Sequence, residues 1–280
     1  MNEFAPPSSS QIALVLAGAA LFLGGVVISI VRFLHPGNAL RLLAKSLDYF
    51  GICLVLAALI WRTVDRGIWM PLEDNFQTLA TLALLLAGFT MYVQRARPIP
   101  GLDSFLMPMV IVMLVYSALF AIHHPRSDEP SGLWDMAHSA SSFAGAAAFA
   151  VAAAVGAMYL VASARLRRKS AISPLPGASL ERLENLTQLA VSFGFALLTV
   201  GIVTGLAKVI MQGRNTSMGA HWMTSPKVIL AFSVWLVYAV ALHTPITPAI
   251  RGRKSAMLSI VGFVLMIATL MTVLYMPPMR

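Results

Sequence analysis

Apolar runs of about 20 residues, broken by short polar segments, recur along the whole chain. A helix needs about 20 such residues to cross roughly 30 Å of hydrocarbon. The pattern predicts spans at residues 11–34, 48–65, 76–94, 104–122, 137–164, 188–210, 227–243 and 256–275. The expected architecture is therefore all-α: a polytopic integral membrane helix bundle of about eight transmembrane helices. Composition agrees. Over 280 residues, 58% are hydrophobic and only 11% charged, with a mean hydropathy of +0.79. Soluble chains carry about 25% charged residues. The first span follows Glu3 and no cation, and is too long for the core of a cleavable signal, so it is expected to remain as a helix.

The net charge of +9 changes the picture through its distribution. Cations cluster between the spans: Arg95 with Arg97; Arg165, Arg167, Arg168 and Lys169; Arg251, Arg253 and Lys254. Such clusters fix the orientation of a membrane protein, and no soluble basic domain exists to grip nucleic acid. With the amino terminus outside, 13 of the 20 Lys and Arg fall on the inner side and 7 on the outer. Both termini are thus expected on the non-cytoplasmic side. The single cysteine, Cys53, excludes an intramolecular disulfide and a thiol metal cluster.

The loops are too short to house independent chemistry. Ser179 to Glu184 read as a capped turn leading into span six. Asp48 and Asp103 fall at predicted span ends, where a carboxylate caps a helix. No acid falls inside a predicted span, which argues against a proton relay, and Walker A, His-Glu-x-x-His and Gly-x-Ser-x-Gly motifs are absent. Span five, with Ala144 to Ala148 and Ala152 to Gly156, has little side-chain bulk. Tight packing at a bundle centre is the favoured reading, over room for a large planar ligand. Of the six histidines, His123, His124, His138 and His221 fall in the outer layer, and His35 and His243 near the inner face. Trp69, Phe76, Trp134 and Trp222 share the outer layer, as an interfacial aromatic belt would. Four imidazoles in one layer of a polar-poor protein point to ligation, and neutral imidazole is a common haem ligand.

Ordered motifs carry a family resemblance. Residues 183–205 read LENLTQLAVSFGFALLTVGIVTG; residues 218–227, MGAHWMTSPK; residues 235–244, WLVYAVALHT; and residues 252–256, GRKSA. Upstream lie PLEDNFQTL at 71–79 and WDMAHSASSFAGAAAFAVAAAVGAMYL at 134–160. Together these resemble the haem-handling membrane proteins of cytochrome c biogenesis, the CcsA, CcmC and HemX group. The resemblance covers roughly residues 45–275 and divides the chain into an amino-terminal segment, 1–44, and an assembly domain, 45–280.

The resemblance implies haem b as the bound group, held under a tryptophan-rich outer loop and ligated by histidines of flanking helices. The haem is then offered to apocytochrome c, with a CcsB/ResB-like membrane partner, at the cell inner membrane. The chain would be a haem handler and at most a subunit of an attachment system. By position, His138 and His243 match family histidines as candidate iron ligands, and Gly219, Trp222 and Trp235 match family positions around the haem. MGAHWMTSPK is a worn form of the family's WGxYWxWDPK, with Ser225 in place of the aspartate. The second outer histidine, expected after the last span, and the histidine often found in span two are both absent. Met276, Met279 or His221 could supply a ligand opposite His138. Two alternatives stand beside the handler: a HemX-like regulator of haem synthesis using loop 165–187, and a relative that has lost haem.

Overall fold

The computed structural model describes residues 6–34, 37–66, 75–96, 98–99, 101–119, 133–167, 179–213, 224–247 and 250–275. Among them lie eight helices: α1 (Ser9–Leu34), α2 (Asn38–Arg66), α3 (Asn75–Ala96), α4 (Leu102–Leu119), α5 (Leu133–Arg167), α6 (Leu180–Gly213), α7 (Pro226–Leu242) and α8 (Arg253–Tyr275). They correspond one to one with the eight predicted spans, and the described residues hold no strand. Seven are long and apolar enough to cross a membrane. The exception, α7, has 17 residues, or about 26 Å at 1.5 Å per residue, near the lower limit for a span. The chain is a multi-pass membrane protein. It divides into two compact units, residues 1–129 with 174–177, and residues 130–173 with 178–280.

In the first unit, α1 and α2 run antiparallel along a seam of glycines. A Cβ on Gly18 would strike the Val55 side chain at 2.7 Å, and one on Gly51 the Phe22 ring at 3.1 Å. Ser117 of α4 donates to the Phe76 carbonyl of α3, and Ser29 of α1 to the Asp103 carboxylate in the first turn of α4. Gln11, Arg62 and Asp65 form a polar knot: Gln11 Nε2 donates to Asp65 Oδ2 at 2.7 Å, and the buried Arg62 lies over the Phe76 ring. One expectation is corrected here. Asp48 is not a cap, because α2 begins at Asn38. Residues 38–47, nearly three turns of helix, carry Arg41 and Lys45, so their hydropathy falls below that of a span although the helix continues through them. Asp48 is buried inside α2, its Oδ1 without a hydrogen-bond partner and packed against Gly25. An acid does therefore occur within a spanning helix, contrary to the expectation from sequence.

In the second unit, the small residues of α5 are its packing device, as expected. Ala150, Ala152, Ala154 and Val155 are fully buried, and α5 packs against both α6 and α8. A Cβ on Gly156 would come within 3.0 Å of the Ala256 carbonyl of α8. Against α6 the register is antiparallel: Gly205 faces His138, Gly201 faces Ser142, and Gly194 faces Phe149. Each step up one helix is a step down the other. Phe149 stacks on Tyr238 of α7 with ring centroids 3.5 Å apart, and the Tyr238 hydroxyl donates to the Ser259 carbonyl of α8. The predicted capped turn is present at the head of α6, where Arg182 N–H donates to Ser179 Oγ.

Candidate functional site

Two imidazoles mark opposite ends of the second unit. His138 lies in the second turn of α5, half-buried against the carboxy-terminal part of α6. Its Nδ1 is 2.7 Å from the Gly201 carbonyl oxygen. A carbonyl only accepts, so Nδ1 carries the proton, and in the neutral ring Nε2 carries the lone pair. Metal-binding histidines are commonly fixed in this way, the far nitrogen donating to a backbone carbonyl. Gly205 makes the pose possible: a Cβ there would lie 2.9 Å from both Cε1 and Nδ1 of the ring. Gly201 and Gly205, one turn apart, thus form a seat, one supplying the carbonyl and the other the space.

His243 caps the far end of α7 and is exposed. Its Nδ1 is 2.7 Å from the Ala239 carbonyl, which leaves Nε2 with the lone pair here too. The ring borders a groove of ≈ 350 Å³ lined by Leu236, Ala239, Val240, His243, Thr247 and Ile250. The groove is open and mostly apolar, with one imidazole at its edge. Behind it stand Gln188, Thr244 and Ser255, and Arg251 bridges to Glu184 at 3.3 Å.

The structure keeps the two histidines apart. His138 meets α6 at Gly201 and His243 lies beside Gln188, a separation of about 20 Å at 1.5 Å per residue. No single iron can take both. Trp235 shares the His138 layer, its Nε1 donating to Thr199 Oγ1 at 3.1 Å, and it packs between Phe195 and Phe232. Residues 199 and 201 point about 200° apart around α6, so Trp235 braces the face opposite to His138. Trp134 at the head of α5 is 44% exposed, as a belt residue would be. Gly219, His221, Trp222 and Met276 lie outside the described residues, as do His35, His123, His124 and Met279. Among described residues no three His, Cys, Asp or Glu gather to hold a metal. Sequence reasoning missed Gly201, Gly205 and Gln188. The Gly-Ile-Val-Thr-Gly spacing was a signal for the first two, and nothing marked Gln188.

Fold and site define a class: a polytopic helix-bundle membrane protein with a carbonyl-locked imidazole at either end of one four-helix unit. Residues 69–278 match the model of a family described as "Cytochrome C assembly protein". The chain belongs to the cytochrome c assembly protein family. It is 28% identical over 275 residues to "Cytochrome c biogenesis protein CcsA" of Prochlorococcus marinus (strain NATL1A), covering 92% of this chain and 80% of that one. The same-named protein of Synechococcus sp. (strain RCC307) is 27% identical over 236 residues, 75% of this chain and 74% of that one. Among solved structures, "Cytochrome c Heme Lyase CcmF" superposes with a TM-score of 0.62 at 16% identity. That likeness is of fold; it takes in 94% of this chain and 48% of the other, so this chain spans about half its length.

Proposed function

We propose that this chain handles haem in cytochrome c biogenesis, binding haem b as cargo through His138 and presenting it to apocytochrome c outside the cell inner membrane. The observation that carries the reading is the His138 seat: a ring held through Nδ1 to the Gly201 carbonyl, with Gly205 giving it room, in a member of this family. Haem supplies the vinyl groups that apocytochrome thiols attack. The chain's own work is to hold and orient that cargo, with Met276 or His221 as the second ligand and a CcsB/ResB-like protein as partner. His243 is a separate ligand at the inner end of the same unit.

Charge supports the orientation. Arg165, Arg167, Arg182, Arg251, Arg253 and Lys254 all lie at the His243 end of the second unit, which favours that end as the cytoplasmic one by the positive-inside rule. His138 is then outside, as are both termini. The regulator alternative is not favoured: the CcsA relatives named above carry a cytochrome c biogenesis name. Two measurements test the reading. Protein purified from haem-replete cells should show a Soret band that weakens in His138→Ala, and in His221→Ala or Met276→Ala according to which is the partner ligand. A deletion strain should lose covalent c-type cytochromes. A colourless wild-type protein, or normal cytochromes in the deletion strain, would refute it.

A further inference from the structure

We infer that Gln188 is a positioning residue for His243, holding the chain on both sides of the imidazole so that its ring meets a ligand in the groove. The inference rests on the reading of His243 as a haem ligand. Gln188, on α6, donates from Nε2 to the Leu242 carbonyl at 3.0 Å, while its Oε1 lies 3.0 Å from the Thr244 hydroxyl. One amide thus touches the residue before His243 and the residue after it.

Local backbone chemistry explains why an outside clamp is needed. The carbonyls of a helix's last turn lack their intrahelical donors. For Leu242, the donor three residues on would be Pro245, which has no N–H. The donor four residues on, Ile246, bonds instead to the His243 carbonyl at 3.2 Å. Gln188 fills the vacancy from a neighbouring helix. The buried Thr244 hydroxyl is the second jaw: it lies 2.9 Å from the Ala241 carbonyl and 3.4 Å from Ser255 Oγ, so its proton is shared between acceptors while Ser255 can donate to it. With residues 242 and 244 held, the backbone that carries residue 243 is fixed, and the contact of its Nδ1 with the Ala239 carbonyl sets the ring's orientation and tautomer. A glutamine at this place on α6 therefore acts on the ligand without touching it.

The test uses the full-length protein in the His138→Ala background, where residual haem depends on His243. Gln188→Leu keeps the bulk and removes both jaws; Thr244→Val removes one and serves where the first variant fails to fold. Both should lower haem affinity, Gln188→Leu by about 10–100-fold, the usual loss when a ligand's supporting partner goes. The electron paramagnetic signature of the residual haem should shift or broaden. In haem-free protein, NMR of isotope-labelled histidine should show the Nδ1–H tautomer of His243 giving way to a mixture, with the Gly201-held His138 of the otherwise wild-type chain unchanged. A merely structural role would lower the melting temperature and leave that tautomer signature intact. Parent-like affinity, spectrum and tautomer in a folded Gln188→Leu protein would overturn the inference. If His243→Ala removes no haem signal, the reading of His243 as a ligand fails instead, and the haem-free tautomer still decides whether Gln188 positions the ring.

Discussion

Gly205→Ala isolates the seat of His138 with one methyl group. The new Cβ would lie 2.9 Å from both Cε1 and Nδ1 of the ring, where carbon contacts are comfortable at about 3.5–4.0 Å. The α6 backbone is held by its own hydrogen bonds, so the ring yields, by about 0.6–1 Å. The Nδ1 contact to Gly201 starts at 2.7 Å and would stretch past the roughly 3.2 Å limit of a useful bond. Losing such a partner costs a metal site about 10–100-fold in affinity, which is about 1.4–2.8 kcal/mol. Fold stability should change far less, since alanine is favoured over glycine inside a helix by about 1 kcal/mol, offsetting the lost hydrogen bond. Haem titration followed at the Soret band, with thermal unfolding in the same detergent, reads both quantities. Gly88→Ala is the control, because nothing lies within 4 Å of a Cβ built there. Affinity in Gly205→Ala equal to that of the control would refute the argument that Gly201 and Gly205 hold an iron ligand.

Four further outcomes are expected. His138→Ala and His243→Ala should each remove a distinct haem signal, and their effects should add in the double variant, because sites about 20 Å apart do not couple directly; strong non-additivity would mean a shared site. Gly194→Ala drives a Cβ to 2.5 Å from Cε1 of the buried Phe149 and should destabilise the second unit by about 1–3 kcal/mol in a melting experiment. Tyr238→Phe keeps the stack on Phe149 and loses only the bond to the Ser259 carbonyl, so about 0.5–1.5 kcal/mol should be lost. Arg251→Ala should leave the melting temperature almost unchanged, since its side chain is 57% exposed and such ion pairs contribute about 0–1 kcal/mol.

The sequence alone determined the class. Apolar runs of membrane-spanning length have few other uses, so hydropathy was enough to count eight helices and place them along the chain. The family resemblance singled out His138 and His243 among six histidines, and composition read the alanines of α5 as packing. Hydropathy erred at Asp48, since it falls wherever lysine and arginine snorkel, whether or not the helix stops there. Only the tertiary structure decided that the two histidines stand at opposite ends of one unit, that a glycine pair on α6 seats one, and that Gln188 braces the other. Those facts depend on the antiparallel register between helices separated by dozens of residues. Hydropathy carries no record of register, because lipid and a neighbouring helix are equally apolar and a span reads the same against either.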